Sequence, residues 1–102
     1  MIRENDLFLV GVLEGAVVAS VMGGYDGHRG WINYLAVHPD RQGLGLGRAI
    51  MQSIEDKIKA LGCPKINLQI RTTNQDVINF YETIGYQKDA VVSYGKRLEA
   101  DD

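Results

Sequence analysis

A chain of 102 residues with 45% apolar and 24% charged side chains has an ordinary globular composition, long enough for one domain and too short for two. Its formal charge of −2 leaves no basic footprint for a nucleic-acid partner. A single cysteine, Cys63, excludes an internal disulfide and any multi-cysteine metal site; with charges where a secretion signal needs its apolar core and no stretch of membrane length, a cytoplasmic chain with no metal and no membrane attachment is expected.

In chain order, "LFLVGVL" (7–13) and "AVVASVM" (16–22) read as two strands joined at Glu14-Gly15 by a tight hairpin turn. The glycine-rich "GGYDGHRG" is a loop, and "WINYLAVH" (31–38) a third strand that Pro39 ends. From Gly45 the apolar period changes. Leu46, Ile50, Ile54, Ile58 and Leu61 share one helical face with Met51 and Ala49 beside it, and Gly62-Cys63-Pro64 stops the helix. "KINLQIR" (65–71) is a fourth strand, "QDVINFYETI" a second helix clustering Val77, Phe80, Tyr81 and Ile84, and "YQKDAVVSYGKRL" (86–98) two short closing strands around Lys88-Asp89. The order β-β-β-α-β-α-β-β, without linker or repeat, predicts a single α/β domain over 1–102 with a mixed α+β sheet. Its third and fourth strands should run parallel across the first helix.

The most informative stretch is "HPDRQGLGLGRAIM" (38–51), which joins the third strand to the first helix. Main-chain N–H groups converge at a helix start and favour an anion, and glycines at 43, 45 and 47 let phosphate oxygens approach without a Cβ in the way. Arg48 in the first turn would oppose the helix dipole unless an anion sits there, and Arg41 could assist from the loop. A P-loop needs Gly-Lys-Ser/Thr where this chain has Gly47-Arg48-Ala49, and the dinucleotide fingerprint lacks its last glycine.

The hexapeptide Gln42-Gly43-Leu44-Gly45-Leu46-Gly47, preceded by "LAVHPDR" and followed downstream by "TTNQDVINFYETIGY", resembles the GNAT superfamily of acetyl-coenzyme A-dependent N-acetyltransferases over about residues 7–98. The resemblance is to the bacterial type, and the C-terminal half is similar to ribosomal-protein N-terminal acetyltransferases. It implies the acyl-CoA N-acyltransferase fold and acetyl-CoA as co-substrate. It implies Gln42, Gly43, Leu44, Gly45, Leu46, Gly47 and Arg48 as the coenzyme-binding turn, with main-chain contacts from Leu44 to Arg48. Leu35, Ala36 and Val37 would line the pantetheine arm, and the Val37 N–H would meet the developing oxyanion.

Acetyl transfer to an amine also needs a proton for the departing thiolate. The resemblance assigns that to Tyr81, which periodicity alone reads as a core aromatic. Asn74 is a good N-cap for the second helix, and the resemblance brings its amide to the coenzyme as well. The third strand carries no carboxylate to serve as base; Asn33 or Tyr34 holding a water, and Asp26 or His28 from the preceding loop, are the candidates. His38 reads as structural, and Cys63 lies too far along the chain to imply an acyl-cysteine. The implied acceptor is a primary amine, a small molecule or a protein N-terminus or lysine, attacking directly.

By the resemblance, a strand and one or two helices are expected before the hairpin, and this sequence begins almost at it; either the start has been trimmed or misassigned, or a partner subunit covers the exposed surface. The hairpin's first strand then has an uncovered edge, and a homodimer is expected. The competing readings are a catalytically inactive CoA-binding or regulatory module and a protein-interaction domain with an empty glycine turn.

Overall fold

A computed structural model of the chain describes residues 7–99. They fall into two compact units that divide between Ile70 and Arg71. The first holds strands β1 (Phe8–Leu13), β2 (Ala16–Tyr25) and β3 (Gly30–Val37), helix α1 (Leu46–Ala60) and strand β4 (Ile66–Asn67). The sheet order is β1-β2-β3-β4; β1, β2 and β3 are antiparallel neighbours, and β4 runs parallel to β3. The mixed sheet and the parallel crossover are therefore as expected. Glu14 and Gly15 have φ of +53° and +81°, and the turn joining β1 to β2 needs both in the left-handed region.

Alternation sorts the strands into two faces. Val21 on β2 is fully buried with Met51, Ile54 and Ile58 of α1, and Ile50, Ala19 and Ile32 complete this core. Burying one such side chain contributes about 1.5–3 kcal/mol. The fit of α1 to the sheet shows at Gly30, where an added Cβ would lie 2.6 Å from Ile58 Cγ2. Only a residue without a side chain lets the helix approach β3 there. Leu61 departs from the expected apolar face. It is the C-cap rather than a helical residue, and it is 51% exposed. Past the last turn the 3.6-residue period no longer says where a side chain points.

The second unit contains α2 (Gln75–Thr83). Asn74 caps it as the sequence indicates, its Oδ1 accepting from the Val77 N–H at 3.4 Å. The two closing strands expected at 86–98 are absent: among the described residues nothing after α2 is strand. The composition suits a strand, but Val91, Val92 and Tyr94 are 77%, 80% and 92% exposed. A strand is held by its ladder and by a face to bury, and β propensity alone supplies neither.

Candidate active site

β3 is the spine of the site. Its pairing with β4 covers only Gly30↔Ile66 and Trp31↔Asn67, so β4 ends at Asn67 while β3 continues to Val37. The expected seven-residue fourth strand is thus two residues long. On its other edge β3 stays paired with β2 as far as Val37↔Ala19, with one extra residue, Asn33, bulged between Ile32 and Tyr34. The His38 N–H donates to the Val18 carbonyl at 2.7 Å. Because main-chain groups alternate in direction along a strand, Ala36 also turns its polar groups to β2. Val37 and Leu35 turn theirs away from β2, to the side from which β4 has departed. Of the three β3 residues expected to line a ligand, Leu35 and Val37 thus face the side that β4 leaves open and Ala36 does not.

The chain then passes through a single 3₁₀ turn, Pro39–Arg41, which His38 caps by accepting the Asp40 N–H on Nδ1 at 3.1 Å. His38 is structural, as expected. Arg41, expected to assist at the glycine turn, has its Nη2 3.2 Å from Glu14 Oε1 on the β1–β2 turn, so its guanidinium is paired with a carboxylate. Gln42 Nε2 donates to the Val37 carbonyl at 3.4 Å, clipping the loop to the end of β3.

At the start of α1 the N-cap is Gly45, left-handed at φ +78°, and no side chain caps the helix. Gly43 is left-handed too, at φ +86°, and an added Cβ at either glycine meets nothing within 4 Å. Helices normally satisfy their first N–H groups with a Ser, Thr, Asp or Asn side chain. Here that device is missing at Leu46, Gly47 and Arg48, and the glycines leave space in front of them. Arg48 is exposed in the first turn while Lys57 and Lys59 occupy the last. The helix has favourable charges at its C-terminus and a cation at its N-terminus, where only a bound anion makes one favourable. An uncapped helix start beside the carboxyl end of a strand that has parted from its parallel neighbour is a favourable place for an anion. Two surface hollows, of about 340 Å³ beneath α1 against β1 and β2 and about 260 Å³ beside Ala16, His38 and Arg41, offer no comparable set of donors.

A sequence profile of the acetyltransferase (GNAT) family matches residues 1–86. The chain belongs to that family. An acetyltransferase of Sodalis glossinidius is 53% identical over 100 residues, covering 97% of this chain and 70% of that protein. Among solved structures, Ard1 from Thermoplasma volcanium superposes with a TM-score of 0.79 at 28% identity, over 86% of this chain and 61% of its own. The ribosomal-protein-S18-alanine N-acetyltransferase from Escherichia coli gives 0.73 at 26% identity, over 82% and 56%. Acyltransferase, the enzyme class expected from the sequence, is the class of this GNAT family, and the four strands and two α-helices of the described residues are a shortened version of its fold.

Of the remaining GNAT site candidates, Asn74 and Tyr81 sit in the second unit and Asp26, Asn33 and Tyr34 in the first. Tyr81 is the buried residue of α2, its ring edge-on to Phe80 at 5.1 Å and to Tyr86 at 5.5 Å. Burial pushes the pKa of its phenol above 10.0. Asp26 is a poor base. Its Oδ1 accepts the N–H groups of His28 and Arg29 at 2.9 and 2.7 Å, and Oδ2 accepts the Trp31 indole at 3.1 Å. The Arg29 N–H foremost, then the indole and the His28 N–H, lower its pKa from 3.8 to about 2. A carboxylate so stabilised holds a loop and has little affinity for an ammonium proton. Asn33 and Tyr34 are exposed on β3. Sequence reading missed the Gln42 clip, the Arg41–Glu14 pair and the Asp26 bonds, since a partner's identity is not encoded in local spacing. Asp26-Gly27 at a loop was the one usable signal, because Asp favours bonding main-chain N–H groups two or three residues on.

Proposed function

We propose that the chain transfers an acetyl group from acetyl-CoA to a primary amine by direct attack within a ternary complex. The observation carrying this reading is the start of α1: N–H groups with no side-chain cap, behind two left-handed glycines, at the end of a strand that β4 has left. When bound, the coenzyme supplies an acyl thioester and a diphosphate. The main chain of Leu44, Gly45, Leu46, Gly47 and Arg48 holds the diphosphate, and Gln42 and Gly43 shape the turn. Leu35, Ala36 and Val37 lie along the pantetheine arm, and the Val37 N–H donates to the acyl oxygen. Tyr81 gives its proton to the departing thiolate. Asn74 adds its amide N–H₂ to the coenzyme while its Oδ1 caps α2. Asn33 or Tyr34 holding a water, or His28 from the preceding loop, takes the amine's proton.

The acceptor class is a primary amine on a small molecule or on a protein N-terminus or lysine; the name of the Escherichia coli relative favours a protein N-terminus. The reading treats residues 1–102 as one catalytic domain in the cytoplasm. No described helix is long and apolar enough to cross a membrane. Differential scanning with coenzyme A, then thiol release over a panel of amines and peptides, tests the whole. A ligand at a hundred times its Kd should stabilise the fold by about 2.7 kcal/mol. A melting curve unmoved by millimolar coenzyme A would end the proposal, and a shift without thiol release would reduce it to a binding module.

Self-association along β1 is part of the same proposal. β1 is the terminal strand of the described sheet, and "FLVGVL" carries no charge or proline to discourage pairing. Sedimentation at micromolar concentration should show a two-fold dimer; a clean monomer rules it out.

A further inference from the structure

The end of α2 bears directly on Tyr81. Gly85 follows the C-cap Ile84 with φ +108°, a conformation open to glycine and costly for other residues. It turns the chain so that the Gly85 N–H donates to the Glu82 carbonyl at 3.2 Å and the Tyr86 N–H reaches back to the Tyr81 carbonyl at 2.9 Å. This paired arrangement is the Schellman cap, which brings the residue after the glycine against the residue five before it. In this chain both residues are tyrosines. Their rings meet edge-on at 5.5 Å and 73°, and Phe80 meets Tyr81 in the same manner at 5.1 Å and 71°. Tyr81 is therefore held between its own neighbour in the helix and the residue the cap returns to it.

We propose that Tyr86 is a positioning residue for the Tyr81 phenol, delivered by the glycine turn that ends α2. The inference rests on the assignment of Tyr81 as proton donor. Two side-chain torsions place the Tyr81 ring and its phenolic oxygen, and the rings of Phe80 and Tyr86 packed on it restrict both. A donor must point at the departing sulfur throughout the reaction, and a misplacement of about 1 Å lowers rates by roughly 100-fold. The contact with Tyr81 is made by the Tyr86 ring, so phenylalanine should replace it and alanine should not.

The test uses the full chain. In the ligand-free protein with ring-labelled tyrosine, the Tyr81 ring signals should carry a ring-current contribution from residue 86 that Tyr86→Phe keeps and Tyr86→Ala loses. In thiol release from acetyl-CoA, Tyr86→Ala should lower kcat about 10- to 100-fold with KM for acetyl-CoA changed less than about twofold, while Tyr86→Phe stays within about twofold of the parent. In a Tyr81→Phe background, Tyr86→Ala should have almost no further effect, since a residue acting through another is silent once that one is gone. Should Tyr86→Ala fold poorly, Tyr86→Leu keeps an apolar side chain in the cap without a ring and is read in its place. Unchanged Tyr81 signals in Tyr86→Ala overturn the proposal, as does an undiminished Tyr86→Ala effect in the double variant. A silent Tyr81→Phe with shifted Tyr81 signals would instead leave the clamp standing and remove Tyr81 from the chemistry.

Discussion

Gly45→Val should weaken coenzyme A binding on the order of 100-fold while leaving the chain folded. Two effects combine. Gly45 sits at φ +78°, where a residue with a Cβ is strained by roughly 1–2 kcal/mol, and a β-branched one relieves that strain by moving the turn. An added Cβ meets nothing in the protein within 4 Å, and under the proposed binding mode the valine side chain would stand where a diphosphate approaches Leu46, Gly47 and Arg48. Losing two hydrogen bonds to a charged group removes about 3 kcal/mol or more, which sets the expected loss. The backbone cost can be separated from the obstruction by a control. Gly27 is also left-handed, at φ +89°, with nothing within 4 Å of an added Cβ, but lies in the β2–β3 loop. Gly27→Val should lower stability by a similar amount and leave affinity within about twofold. Calorimetric titration of both variants decides the matter; equal affinities would mean that the anion is held elsewhere.

The same turn shows why part of the site could be read without coordinates. Glycine at fixed positions between a strand and a helix has few purposes, and two of the three prove to be left-handed. The face of α1 was legible for a similar reason: Ile50, Ile54 and Ile58 recur at the helical period and Met51 lies beside them, so burial follows from geometry alone. What failed to show depends on partners remote in sequence. Arg41 is claimed by Glu14, 27 residues away, which no local pattern announces. The apolar residues of "KINLQIR" suggested a full strand, but β3 supplies a ladder for only Ile66 and Asn67. The shortness of that pairing gives the site its form, because a longer β4 would consume the main-chain groups of Leu35 and Val37. "AVVSY" near the C-terminus shows the opposite error, β-rich composition with no ladder at all.

Tyr81→Phe should lower kcat roughly 100- to 10,000-fold, the range attributed to a positioned proton donor, while KM for acetyl-CoA changes by less than about threefold. The substitution removes one oxygen from a buried ring already packed on Phe80 and Tyr86, so binding surfaces and the α2 cap stay in place. Its pH signature has a definite sign. Burial raises the folded-state pKa of the phenol above the ordinary 10.0, so the acid remains protonated, and able to donate, at pH values where a solvated tyrosine has begun to ionise. A group raised on folding contributes stability that is complete below the unfolded pKa and lost as pH rises through the folded one. Between about pH 10 and that higher value the parent should therefore lose stability faster than Tyr81→Phe, whose ring has no proton to give up. Urea melts of both proteins at pH 9 and pH 11 expose the difference even though lysines and other tyrosines titrate there, since those groups are common to the pair. Parallel losses would place the Tyr81 hydroxyl in contact with solvent, and an undiminished kcat would mean that the thiolate takes its proton from water or departs without one.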